Sequence, residues 1–173
     1  FARAADGELA LDHATLVAFG MTRSAKHRAE DDPLLAALVE ARTDVICLVG
    51  KSWGYHVDEA LGVPRDENLA MVRDSIEHLR RLGKRVFFDA EHFFDGYAAN
   101  PEFALAVLEA AATAGAECVV LCDTNGGSLP HQVQAATAEV VRHFAGDVAV
   151  GIHTQNDSGC AVANSVAAVV GGA

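Results

Sequence analysis

Positive charge is scarce in this sequence, and long apolar segments are absent from it. Thirteen Lys and Arg residues stand against 24 Asp and Glu, so the 173 residues carry a net charge of −11. This balance argues against binding to nucleic acids or to an anionic membrane. No apolar run approaches the ~18 residues that a membrane-spanning helix needs, and no signal peptide is visible. The chain begins at Phe1 without an initiator methionine or a capping signal, and we expect this to be a cut end.

The cysteine pattern lacks any C-x-x-C pair. The four cysteines are Cys47, Cys118, Cys122 and Cys160, and three of them lie in apolar runs or beside polar clusters. Buried, reduced thiols are therefore favoured over a disulfide framework. Reduced thiols predict a cytoplasmic protein.

Five apolar or β-branched runs begin about 30 to 40 residues apart, which is the length of a βα unit. They occupy residues 14–19, 45–49, 85–88, 118–122 and 148–152. Helical patterns lie between them, with predicted starts at Asp32-Pro33, at Asp66 as a cap, at Asn100-Pro101 and near Pro130. No linker interrupts this alternation, so residues 1–173 are predicted to form a single domain.

Alternating strands and helices, with nearly continuous apolar strands, predict an α/β fold with a parallel sheet covered by helices. An open doubly wound sheet and a (β/α)8 TIM barrel both fit. The open sheet would usually show G-x-G-x-x-G after its first strand, and no strand here is followed by one. Polar groups instead follow several strands, as in a barrel. A complete barrel takes about 250 residues, so we predict an incomplete TIM barrel.

Polar side chains close the fifth and third apolar runs. Side chains two apart share a face of a strand, so His153 and Gln155 should project together, and so should Asp89 and Glu91. Neighbouring donors at the end of a strand can hold a divalent cation or a carbonyl substrate. A carboxylate pair is costly to desolvate unless it serves a cation, a proton or a substrate. The alternative is that both acids have left the strand and cap the next loop.

A third cluster, Asp123-Thr124-Asn125-Gly126-Gly127, closes the fourth run. Its glycines would let backbone N–H groups approach a bound carboxylate, although a plain βα turn would tolerate them equally well. Lys51, after the second run, could bind an anion. The other histidines near these clusters are interpreted as surface groups: His92, His131 and His143.

Several motifs in these clusters resemble the citramalate synthase branch of the alpha-isopropylmalate and homocitrate synthases, within the HMG-CoA lyase-like TIM barrel superfamily. The motifs, in chain order, are FGMTR at 19–23, GKSW at 50–53, FDAEHFFDGY at 88–97, LCDTNGGSLPH at 121–131, GIH at 151–153, NDSG at 156–159 and AVANS at 161–165. The resemblance implies an acyltransferase that condenses acetyl-CoA with a 2-oxo acid, most simply pyruvate, and then hydrolyses the thioester. A divalent cation would chelate and polarise the oxo acid.

The resemblance also implies roles for individual residues. His153 matches the first histidine of the family's H-x-H metal motif, and Gln155 takes the place of the second. A glutamine ligates through a neutral oxygen, which suits Mg²⁺ or Mn²⁺ better than Zn²⁺. Glu91 is the predicted catalytic acid and Thr124 the predicted donor to the oxo acid's carboxylate. We further assign two residues of the same motifs to substrate binding: Asp89 and Asn125.

Two elements of the family are absent from the sequence, namely the first-strand D-x-T-x-R-D-G segment and the last-strand asparagine. By resemblance the chain spans about strands three to seven, without the C-terminal region that contributes dimer contacts and regulation. We therefore expect a homodimer in the complete protein and an inactive isolated fragment. The alternatives are a 2-isopropylmalate or homocitrate synthase, a lyase such as HMG-CoA lyase, and a non-catalytic scaffold.

Overall fold

A computed structural model describes residues 1–8 and 11–173. Five parallel strands form one sheet in which the spatial order is the order of the chain. The strands are β1 (Val17–Met21), β2 (Val45–Lys51), β3 (Arg85–Glu91), β4 (Cys118–Asp123) and β5 (Ala149–Thr154). Each strand pairs in parallel with the next one, so the predicted parallel sheet is confirmed.

Helices connect the strands, as parallel pairing requires. The α-helices are α1 (Ala2–Ala5), α2 (Pro33–Glu40), α3 (Gly54–His56), α4 (Arg65–Arg81), α5 (Phe93–Ala99), α6 (Pro101–Thr113), α7 (Pro130–Phe144) and α8 (Ala161–Gly171). A 3-10 turn covers Ala29–Asp31, and a π-helical turn covers Val57–Leu61. None of the helices in the described ranges combines the length and the hydrophobicity needed to cross a membrane.

The two faces of the sheet have different environments. One face is covered by the helices, and its apolar side chains are fully buried: Ile46, Leu48, Val86, Phe88, Val119 and Leu121. Burying each such side chain contributes about 1.5 to 3 kcal/mol to folding. The opposite face is more open, and Phe19 there is 59% exposed. Because side chains alternate along a strand, the polar residues Asp89, Glu91 and His153 project onto this open face.

Helix starts follow the predicted caps in two cases and differ in a third. The Asp32 carboxylate accepts the N–H groups of Leu34 and Leu35 at the start of α2, and Asn100 caps α6. The prediction that Asp66 caps α4 is wrong. Pro64 occupies the capping position, and Asp66 lies in the first turn. There its negative charge interacts favourably with the helix dipole and stabilises α4.

The strands extend further at their carboxyl ends than the apolar runs indicate, whereas β1 begins later than residue 14. Val17 is the first residue of β1 to find a partner, Val45. Asp89 pairs in register with Val49 and Val120, and Glu91 pairs with Lys51. The alternative in which both acids have left the strand is therefore wrong, and their side chains share the open face.

Candidate active site

The carboxyl ends of β2 to β5 form one edge of the sheet, and every predicted site residue lies there. Asp89 and Glu91 project from β3 onto the open face, and His153 projects from β5. Thr124 and Asn125 follow β4 directly, and Gln155 follows β5. Parallel pairing brings these strand ends together although up to 66 residues separate them in sequence (155 less 89).

His153 is held by a buried carboxylate. Its Nδ1 lies 3.0 Å from Oδ2 of Asp89, which is only 7% exposed. The other carboxylate oxygen, Oδ1, accepts the Cys47 thiol at 3.2 Å. On the far side of the imidazole, Nε2 lies 3.4 Å from the Gln155 amide nitrogen. His153 and Gln155 therefore lie side by side, and Asp89 is behind the ring.

A second group of possible metal ligands also includes Asp89 and His153. Asp89, Cys122 and His153 each offer a donor atom, and these atoms lie within 4.8 Å of one another. Burial, and after it the negative charge of Asp89, raise the pKa of the Cys122 thiol. The same two causes raise the pKa of the Cys47 thiol. Without a bound metal both groups are therefore protonated thiols at neutral pH, and either would have to lose its proton to become a ligand.

The donor set suits a hard or borderline divalent cation in part. An imidazole nitrogen on the open face and a neighbouring amide are two adjacent ligand positions, since the amide can rotate to present its oxygen. A complete shell needs further ligands.

Glu91 forms an ion pair with Lys51, a partner that sequence analysis missed. The two side chains are 24% and 16% exposed, so water reaches both only in part. The hydroxyl of Ser52 donates to the Glu91 carbonyl at 2.7 Å, which fixes the end of β3 against β2. The register of β2 against β3 would have identified this partner, because it places Lys51 directly beside Glu91. The sequence alone does not give that register.

Thr124 accepts a hydrogen bond from the backbone N–H of His92, with a distance of 2.8 Å. This bond occupies the hydroxyl as an acceptor and leaves its own proton to donate. His92 makes the bond from a left-handed backbone conformation, with φ of 58°. Asn125 uses its amide nitrogen for a bond to Asp95 Oδ2 at 3.0 Å.

His92 is buried, so its interpretation as a surface group is wrong. Its ring meets the His56 ring edge-on, with the two centroids 4.1 Å apart. The Trp53 ring lies 4.9 Å from the ring of His56 and 5.8 Å from that of His92. Burial, and then the neighbouring His92, lower the pKa of His56. His131 and His143 are exposed, as predicted.

Two glycines allow the loops of this edge to pack closely. A Cβ at Gly96 would lie 2.3 Å from the carbonyl oxygen of Ser52, so only glycine lets α5 approach the end of β2. Gly126 has φ of 61°, and a Cβ there would meet the Asp157 carboxylate at 2.7 Å. The β4 and β5 loops are thereby held against each other.

The chain is similar to known proteins along its whole length. The HMGL-like family profile matches residues 14–173. The (R)-citramalate synthase of Streptomyces coelicolor is 54% identical over 173 residues, which cover all of this chain and 32% of that protein. The (R)-citramalate synthase of Aquifex aeolicus is 52% identical over 161 residues, covering 93% of this chain and 30% of that protein.

The fold comparison gives the same architecture. The HMG-CoA lyase of Brucella melitensis superposes with a TM-score of 0.76 at 17% identity, over 95% of this chain and 56% of that one. The parallel sheet and this superposition confirm the predicted TIM-barrel architecture, of which the chain forms five consecutive units. The chain spans about a third of the length of the curated relatives it matches. It belongs to the HMGL-like family, in the citramalate synthase branch.

Proposed function

We propose that the protein carrying this chain condenses acetyl-CoA with a 2-oxo acid, most simply pyruvate, to give (R)-citramalate and free CoA. One water is consumed, because the thioester of the condensation product is hydrolysed. The observation that carries the proposal is the pair His153 and Gln155 at the end of β5, on the face of the sheet that also carries the Asp89 and Glu91 carboxylates of β3. The two relatives named (R)-citramalate synthase support the choice of reaction.

His153 and Gln155 would hold the divalent cation, Mg²⁺ or Mn²⁺ with Zn²⁺ as an alternative. When bound, this ion polarises and orients the keto and carboxylate oxygens of the oxo acid. Gln155 must first turn its amide, since the nitrogen and not the oxygen now faces His153. The remaining ligands would come from parts of the protein outside this chain.

Glu91 would act on the acetyl group or on the oxo acid beside the cation. Its ion pair with Lys51 holds the carboxylate at the sheet edge and balances its charge in a partly buried place. A charged group that is already held in position stabilises a transition state effectively, because it needs no rearrangement during the reaction.

Thr124 would donate its free hydroxyl proton to the carboxylate of the oxo acid. The His92 N–H already occupies the acceptor side of this hydroxyl, so the proton is directed away from the backbone. Asn125, whose amide nitrogen is engaged by Asp95, would offer its carbonyl oxygen to an N–H or O–H donor of acetyl-CoA, because a 2-oxo acid has only acceptors.

The test is an assay of the protein that carries this chain, with CoA release followed by a thiol reagent and the product identified by mass. Pyruvate, 2-oxoisovalerate and 2-oxoglutarate are compared as acceptors. We expect release to require acetyl-CoA and pyruvate and to stop when divalent cations are chelated. Preference for another oxo acid would reassign the substrate.

Cleavage of 3-hydroxy-3-methylglutaryl-CoA without any condensation would overturn the proposal in favour of a lyase. Failure of all these reactions, together with no metal affinity, would indicate a scaffold. The predicted homodimer and cytoplasmic location stay predictions, which sedimentation velocity and cell fractionation of the same protein address.

A further inference from the structure

Asp89 was expected to bind substrate, but its carboxylate is turned toward His153. The two residues lie on β3 and β5, and the side-chain contact passes across β4 between them. Asp89 is held from both sides, since Oδ2 contacts the imidazole and Oδ1 accepts the Cys47 thiol. A carboxylate with both oxygens engaged and 7% exposure has little freedom to reach a substrate.

The two contacts of His153 are consistent with one tautomer. A carboxylate can only accept, so the imidazole proton lies on Nδ1 and faces Asp89. The Gln155 amide lies on the other side of the ring, 3.4 Å from Nε2, where its N–H can donate to the lone pair that this tautomer leaves on Nε2. The Asp89 contact thus sets the tautomer, and the Gln155 contact is compatible with it.

We propose that Asp89 is a positioning residue, which fixes His153 as the Nδ1–H tautomer and aims its Nε2 lone pair at the position beside Gln155. The proposal rests on the proposed function, because that position is where the cation would bind. A metal-binding imidazole whose other nitrogen donates to a carboxylate is fixed in orientation and is a stronger ligand. His153 itself is half exposed, so without Asp89 the ring could turn freely.

Two variants of Asp89 distinguish the effect of its hydrogen-bond acceptor from the effect of its negative charge. Asp89→Leu has similar size but no acceptor, and Asp89→Asn keeps an acceptor oxygen without the charge. Both are made in the protein that carries this chain. The His153 tautomer is recorded from ¹⁵N chemical shifts of the metal-free protein at alkaline pH, where imidazoles are neutral. Affinities for Mn²⁺ and Zn²⁺ are measured by competition with a chromophoric chelator.

We expect the Leu variant to lose the Nδ1–H tautomer and to bind both metals about 10- to 100-fold more weakly. The Asn variant should keep the tautomer and lose less affinity. Asp123→Asn is the matched control, because Asp123 is also a buried strand-end carboxylate, but it accepts from Ser128 and Asn164 on the helix-covered face. It should lower stability without changing the tautomer or the metal affinity.

A Leu variant that retains the Nδ1–H tautomer would overturn the positioning role. The role would also be overturned if that variant bound metal as tightly as the unmodified protein. Absence of metal binding by the unmodified protein would instead count against the proposed function, and the tautomer measurement would still decide the role of Asp89. If the Leu variant fails to fold, the same two measurements on Asp89→Asn and on Cys47→Ala decide, since loss of the Cys47 donor should loosen Asp89 and weaken metal binding.

Discussion

Replacing Gln155 with histidine should strengthen binding of transition metals. In the structure the Gln155 amide nitrogen and Nε2 of His153 are 3.4 Å apart. Two nitrogen ligands of a tetrahedral Zn²⁺, each about 2.0 to 2.1 Å from the ion, are separated by about 3.3 Å. The side chain at position 155 therefore already places a nitrogen at the distance that two imidazole ligands need. We expect Gln155→His to require no shift of β5.

The expected gain is about 10-fold in affinity for Zn²⁺ or Mn²⁺, which corresponds to about 1.4 kcal/mol. Mg²⁺ prefers oxygen donors and should gain less. Isothermal titration of the protein carrying this chain with each metal measures the effect. Gln134→His is a suitable control, since Gln134 is exposed on α7. Equal affinities before and after Gln155→His would mean that residue 155 points away from the cation, and the spacing argument would be refuted.

Three further predictions concern single side chains. Glu91→Gln should lower kcat by about 100-fold or more, because it removes the charge of the carboxylate; the loss of stability should be much smaller, since the variant leaves no cavity and its amide can still accept from Lys51, and unchanged kcat would remove Glu91 from the chemistry. His92→Gly should be more stable than His92→Ala by about 1 kcal/mol in urea unfolding, since only glycine adopts φ of 58° without strain; equal stabilities would contradict this. Burial opposes the charge of Asp32, but three backbone N–H donors outweigh it and lower its pKa below 3.8. Its contribution to stability is thus complete above the unfolded pKa and is lost as the pH falls through the folded pKa, and unfolding curves of Asp32→Asn should show a weaker acid dependence below about pH 4.

The fold could be predicted largely from hydrophobic runs and helix starts. The signal was strong at Asn100-Pro101, where a cap and a proline coincide, and in the runs of β2 to β5. It was weak at the strand ends, because pairing with a neighbouring strand decides where a strand stops. The polar Asp89 and Glu91 stay in β3 because Lys51 and its neighbours continue the ladder.

The sequence predicted which site residues share a face of one strand, but not the contacts between residues of different strands. Alternation gives the common face of Asp89 and Glu91, but it contains no information about which of them reaches His153 on a strand two positions away. The burial of His92 depends on a left-handed turn that is rare for a residue other than glycine, so a polar residue after a strand was reasonably interpreted as exposed. Both differences come from tertiary contacts.

The identity of spatial and chain order in the sheet has a consequence for biosynthesis. Each strand pairs with the one made just before it, so the sheet can grow in step with the ribosome, one βα unit at a time. Paired strands begin only about 30 to 40 residues apart, so each pairing costs less loop-closure entropy than a pairing between distant parts of the chain. The order of the strands along the chain therefore allows each new unit to be added to a sheet that already exists.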